Sequence, residues 1–148
     1  MKKLKFIILI LIFSVLIIGC QEKKFSFEEK YYNNSEIIEL DLNNFNKLIE
    51  NKESFGIFIY QPMCVTSNEF SEIIKEYSEN YLITFYKMPF SLIKETKLEE
   101  QIKYYPSFVI YRNGELIDFL DASSDEDTNY YKSIDGFKEW LETYVTIK

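Results

Sequence analysis

The sequence predicts an α/β fold with a mixed sheet, in which parallel strands are joined by helices and an antiparallel pair follows. Three observations predict it. From about residue 36 onward, apolar residues recur first with the period of a strand and then with that of a helix, several times over. Phe55 to Tyr60 is an unbroken run rich in β-branched and aromatic residues, short enough for a strand buried on both faces. Two further strand-like runs are separated only by Arg112-Asn113-Gly114, and Asn-Gly is a strong hairpin signal.

The chain opens with a segment of another kind. Lys2, Lys3 and Lys5 give a positive start, and Phe6 to Ile18 is apolar at every position except Ser14. This is the layout of an export signal, and the run is shorter than the ~18–20 residues that span a bilayer. It ends in Ile17-Ile18-Gly19-Cys20, which resembles the bacterial lipobox, where the cysteine is alkylated with diacylglycerol and becomes the first mature residue. Residues 1–19 are therefore expected to be a lipoprotein signal peptide, with Cys20 lipidated and the remainder held extracytoplasmically at the cell membrane. Each buried CH₂ of an acyl chain contributes about 0.8 kcal/mol, so two chains on one cysteine suffice as an anchor. The other reading of these residues is a plain transmembrane anchor in which Cys20 is ordinary.

Composition excludes several classes of function. Loss of Lys2, Lys3 and Lys5 with the signal leaves 14 basic residues against 24 acidic, a net of −10. Such a surface repels phosphate backbones, so nucleic acid is excluded as a partner, and net charge gives no attraction to anionic headgroups. There is no histidine, which removes His-based triads, His general bases and His metal ligands. Of two cysteines, one is assigned to lipid, so neither an internal disulfide nor a multi-cysteine zinc site can form in the mature chain. No metal and no cofactor are expected.

Gln21 to Ser35 is polar and aperiodic, so residues 20–35 are read as a lipidated cysteine and flexible tether, and 36–148 as the folded domain. Ile37 to Leu42 alternates like a half-buried strand, and Asn43 or Asn44 can cap a helix that turns Phe45, Leu48 and Ile49 inward. After the strand at Phe55 to Tyr60, Phe70, Ile73, Ile74 and Tyr77 mark one face of a helix that begins near Cys64. Tyr81 to Met88 is a strand candidate closed by Pro89, and Leu92 to Tyr104 reads as a helix with Leu98 and Ile102 inward. Ser107 to Tyr111 and Glu115 to Leu120 form the hairpin. Asp121 to Lys132 is an acidic loop too irregular for a calcium site. A last helix carries Ile134, Phe137, Trp140, Leu141 and Tyr144 behind Ser133 or Asp135 as cap.

This order resembles thioredoxin over about residues 36–146, and two segments carry the resemblance. The strand Phe55 to Tyr60 is followed by three residues and then Cys64 at a helix start, as in that family's redox loop. Tyr105-Pro106-Ser107-Phe108-Val109-Ile110-Tyr111-Arg112-Asn113-Gly114-Glu115 is similar to the family's proline, strand and hairpin. The resemblance implies a three-layer α/β/α sandwich with a central mixed sheet. It also implies a cis Pro106 beside Cys64, with Tyr105 and Pro106 offering backbone to an extended substrate and Met63 beside the thiol. A trans proline that simply starts a strand is the alternative.

The loop departs from the family at several positions. Cys64-Val65-Thr66-Ser67 has Ser67 in place of the second cysteine and Val65-Thr66 in place of the usual Gly-Pro. The family's buried acid falls on Phe58, and the tryptophan before its first cysteine falls on Met63. What remains is single-thiol exchange: Cys64 as nucleophile favoured by the helix terminus, with the hydroxyls of Thr66 and Ser67 able to bond its thiolate. The partners are then disulfides and thiols of exported proteins or peptides. The competing reading keeps Cys64 as an inert small hydrophobe in a non-catalytic binding module, similar to accessory lipoproteins of bacteriocin transport, which usually retain both cysteines.

Overall fold

The computed structural model describes residues 23–148, and the expected signal and Cys20 lie outside them. Five strands and four α-helices follow one another: β1 (Ile37–Glu39), α1 (Leu42–Glu50), β2 (Phe55–Tyr60), α2 (Val65–Tyr81), β3 (Phe85–Pro89), α3 (Phe90–Ile93), β4 (Ser107–Arg112), β5 (Glu115–Phe119) and α4 (Ile134–Tyr144). The strands form one sheet in the order β1-β3-β2-β4-β5. β1, β3 and β2 are parallel, while β4 is antiparallel to β2 and β5 to β4. Among the described residues, no helix is long and apolar enough to cross a membrane.

Strand alternation produces the layers, because successive side chains of β2 and β4 point to opposite faces. Phe58 and its register partner Phe108 face α2 and α4, where Phe58 meets Phe70 at 5.8 Å and Phe108 meets Phe137 at 4.9 Å between ring centres. Phe55 and its partner Tyr111 face the other way, stacked at 4.8 Å, and Phe45 of α1 closes on Tyr111 at 5.9 Å. The result is the three-layer α/β/α sandwich with a mixed sheet that the sequence predicts.

Two glycines make this packing possible. A Cβ on Gly56 would lie 2.7 Å from the Phe108 ring and 3.0 Å from that of Phe85, so only hydrogen fits between them. Gly56→Ala is expected to cost about 1–3 kcal/mol, as overpacked cores do, measurable as a lower denaturant midpoint at unchanged slope. At the hairpin tip, Asn113 and Gly114 have φ of 52° and 77°, the left-handed pair a two-residue turn requires. Gly114 also packs with its Cα against the Ile49 carbonyl, where a Cβ would come within 2.5 Å.

Four expectations change. The first helix is capped by Asp41, whose carboxylate accepts from the Asn44 N–H at 2.7 Å, so Leu42 is helical and β1 stops at Glu39. Tyr81 belongs to α2 rather than to a strand. Its ring packs on Tyr77 one turn earlier at 4.5 Å, and its hydroxyl accepts from the Lys138 ammonium at 2.7 Å, so β3 starts only at Phe85. The segment Leu92 to Tyr104 is not one helix. Thr96 breaks it by donating to the Ile93 carbonyl at 2.8 Å and accepting from the Leu98 N–H at 3.1 Å, which starts a 3₁₀ turn at Lys97–Glu100. Leu98 and Ile102 are nonetheless buried, as expected.

The fourth change concerns the tether, expected through Ser35. Phe27, Tyr31 and Tyr32 are buried, and the chain is bonded to the fold from Phe25 onward. Phe25 donates to the Tyr144 carbonyl at 3.0 Å and accepts from the Thr146 N–H at 2.7 Å. The Glu28 carboxylate accepts from the Ser54 N–H at 3.0 Å, and Tyr31 donates to the Glu53 carboxylate. Scattered aromatics in a polar stretch, which carry no period, here act as separate pegs into the core.

Candidate functional site

The redox-loop candidate lies where β2 leaves the sheet. Tyr60 ends the strand, Met63 takes a left-handed φ of 61°, and the Cys64 N–H closes the turn on the Gln61 carbonyl at 3.3 Å. Cys64 is then the N-cap of α2, with extended backbone, and its carbonyl accepts the first helical bond from Asn68 at 3.0 Å. Its side chain does not turn back to cap the helix. Sγ lies 3.1 Å from Oγ1 of Thr66 instead, and the residue is half-buried.

These neighbours favour the thiolate. The Thr66 hydroxyl is the largest influence holding the Cys64 thiol below its ordinary pKa, followed by the Ser67 backbone N–H; modest desolvation opposes them, and the Ser67 hydroxyl and Thr66 N–H add to the lowering. Ser67 itself is buried, and its Oγ accepts from the Gln61 N–H at 3.2 Å, which leaves its proton for the sulfur. Thus Ser67 ties the turn closed from the position where the sequence lacks a second cysteine. Phe58, at the position where the resemblance puts the family's buried acid, is buried against Phe70 and carries no charge to the site.

Across from this loop, the Tyr105–Pro106 bond is cis and precedes β4. Thr66 and Phe70 of α2 form one wall of a groove of about 380 Å³, and Tyr105 and Pro106 form another. The structure therefore brings Cys64, Thr66, Ser67, Tyr105 and Pro106 to one end of the sheet. Met63 is there too, 95% exposed beside the thiol, and like Cys64 and Ser67 it is not among the residues that line the groove.

A third wall was not foreseen. Tyr131 comes from the acidic loop, within a 3₁₀ turn at Asp127–Tyr131, and donates to the Pro106 carbonyl at 2.9 Å while its ring packs on Phe70 at 4.6 Å. Burial, followed by the charges of Asp127 and Asp121, pushes its hydroxyl pKa far up, so it stays a donor. The one available signal was the aromatic pair Tyr130-Tyr131 within an otherwise polar loop.

The Thioredoxin family model matches residues 36–133, from the first strand through the loop that carries Tyr131. The chain belongs to the thioredoxin family. Solved structures agree on the fold of this thioredoxin-family protein. Oxidised thioredoxin from Plasmodium falciparum superposes with a TM-score of 0.56 at 20% identity, over 74% of this chain and 99% of its own. Thioredoxin pre-protein from Schistosoma mansoni gives 0.56 at 23% identity, over 75% and 100%. Thioredoxin O1 from Arabidopsis thaliana gives 0.56 at 15% identity, over 76% and 100%. No curated protein matches the sequence significantly. Among the described residues there is no cluster of three or more acidic or cysteine side chains able to hold a metal.

Proposed function

We propose that this thioredoxin-family domain carries out single-thiol disulfide exchange on exported proteins, held outside the cell membrane by lipid on Cys20. The observation that carries the reading is the Cys64 sulfur at the N-cap of α2, bonded to Thr66 on the lip of the groove that Pro106 closes. The Cys64 thiolate attacks one sulfur of a substrate disulfide, and the S–S bond breaks. The other substrate sulfur leaves as a thiolate and takes a proton from water. The mixed disulfide is then released by an outside thiol, because Ser67 has no sulfur with which to resolve it. The lipobox-like residues Ile17 to Cys20 support the anchor.

Titration of Cys64 with iodoacetamide tests the nucleophile. The alkylation rate should rise with a midpoint below the ordinary thiol value of about 8.5, and Thr66→Val should move the midpoint upward. A midpoint at or above the ordinary value, unmoved by Thr66→Val, removes the exchange reading. Linkage follows from the same shift: folding gains stability at pH above the unfolded thiol pKa and loses it as pH falls through the lower folded one. The intact mass of protein extracted from membranes tests the anchor, with a diacylglyceryl group on Cys20 expected.

One observation favours a second reading, a non-catalytic binding module. Met63 and Val65, on either side of the thiol in sequence, and Tyr104 and Tyr105, ahead of the cis proline, are 95%, 68%, 57% and 40% exposed, apolar surface suited to a partner chain. A Cys64→Ser protein that keeps its full biological role would favour that reading.

A further inference from the structure

Charge is unevenly spread over this acidic domain. Lys23, Lys24 and Arg112 line one open hollow of about 590 Å³ together with Phe25, Ile117 and Tyr144, and among the described residues no acidic side chain lines it. Phe25 holds the arrangement in place. Its backbone is bonded to Tyr144 and Thr146, and the Arg112 guanidinium lies 5.3 Å over its ring. The two lysines are thus delivered to Arg112 by a backbone fixed to the last helix and the residues after it.

The position of Cys20 says what this hollow meets. Only Gln21 and Glu22 lie between it and Lys23, and a fully extended chain covers at most about 3.6 Å per residue step, so Lys23 stays within about 11 Å of the lipid attachment. The headgroup layer is itself about 5–8 Å thick on each side of the hydrocarbon. A lipid on Cys20 therefore puts the three cations into or against the headgroups.

We propose that the hollow is a docking site for the phosphate of anionic phospholipids, so that the domain stands end-on at the membrane with its thiol turned outward. The proposal rests on lipidation of Cys20. Strand β4 sets the orientation: Pro106 and Ser107 lie at its start, at the Cys64 end of β2, and Arg112 lies at its finish. Five strand steps of about 3.3 Å place the two ends about 17 Å apart. The lipid fixes the domain at the surface, and the cations choose which pole faces it.

The test uses the mature chain from residue 20 with Cys20→Ser, so that no lipid contributes and Cys64 is the sole thiol. In co-sedimentation at about 0.01 M salt, where the screening length is about 30 Å, it should bind phosphatidylglycerol vesicles at least tenfold more tightly than phosphatidylcholine vesicles. Each cation near such a surface is worth about a fivefold change in binding, so Lys24→Glu with Arg112→Glu should weaken it by at least tenfold. Lys75→Glu with Lys94→Glu makes the same change in net charge away from the hollow and should weaken it far less. A dye on Cys64 should be shielded from a quencher carried on the headgroups. Equal binding to both vesicle types, equal loss in the two double variants, or displacement by millimolar inorganic phosphate, which would assign the hollow to a soluble ion, overturns the proposal. The mass of Cys20 in membrane-extracted protein is read separately, so an absent lipid and an absent headgroup site give different results.

Discussion

Ser67→Cys should convert the protein from one that accumulates mixed disulfides into one that releases its partners. In the unaltered chain, oxidised substrate captured on Cys64 waits for an outside thiol, and adducts should be visible on non-reducing gels. Ser67 sits one helical turn beyond Cys64, and residues three apart at a helix start are neighbours. A thiol placed there attacks the adduct from within the molecule, at an effective concentration of millimolar or more. Adduct yield should fall at least tenfold, and the isolated variant should oxidise to an internal disulfide with the loss of two hydrogens in its mass.

Two details of the structure shape that result. Ser67 is buried and accepts from the Gln61 N–H, so the larger, weaker-accepting sulfur loosens the turn, at a cost of about 1 kcal/mol. Phe58 supplies no acid to take the new proton, so release should be slow near neutral pH and quicken as pH rises. Unchanged adduct yield in Ser67→Cys would show that capture on Cys64 is not followed by exchange at this loop, and the binding-module reading would gain.

Phe27→Ala should be the most damaging single core truncation outside the sheet and helices. Phe27 is 2% exposed and meets Tyr31 and Phe85 edge-on, each at 6.4 Å between ring centres. Its N–H donates to the Tyr32 hydroxyl at 3.1 Å. Removal of a buried phenylalanine ring costs about 3–5 kcal/mol, which for a domain of this size lowers Tm by about 10 °C or more. Removing the residues before Phe25 should leave Tm within about 1–2 °C. A Phe27→Ala loss under about 1 kcal/mol would mean that this segment is a true tether.

That contrast explains which parts of the fold were legible. Phe55–Tyr60 and the Asn113-Gly114 turn were read to the residue because each rests on a local rule, a two-sided buried strand and a turn that demands left-handed backbone. The helix start near Cys64 is legible in the spacing of Phe70, Ile73, Ile74 and Tyr77, the cis Pro106 only through the resemblance, and both are as expected. Tyr81 was misplaced because its helical partners, Tyr77 and Lys138, include one from a distant helix. Thr96 stopped a helix through its side chain, which apolar periodicity does not register. The peg residues before β1 and the Tyr131 wall share a cause: single aromatics in polar segments whose partners are far away in sequence.

The hydrogen bonds joining Phe25 to Tyr144 and Thr146 link the opening of the described chain to its finish, and Tyr32 also donates to the Thr146 carbonyl at 3.3 Å. Pairings separated by more than 110 residues are the slowest kind to form, since the whole intervening loop must be closed first. A polypeptide that emerges vectorially, amino end first, can assemble its sheet along the way but cannot latch this seam until Tyr144 and Thr146 have appeared. A chain truncated in its last helix keeps the contacts of Phe27, Glu28 and Tyr31 with the sheet and the start of β2, but loses the bonds that close Phe25 and Tyr32 on Tyr144 and Thr146.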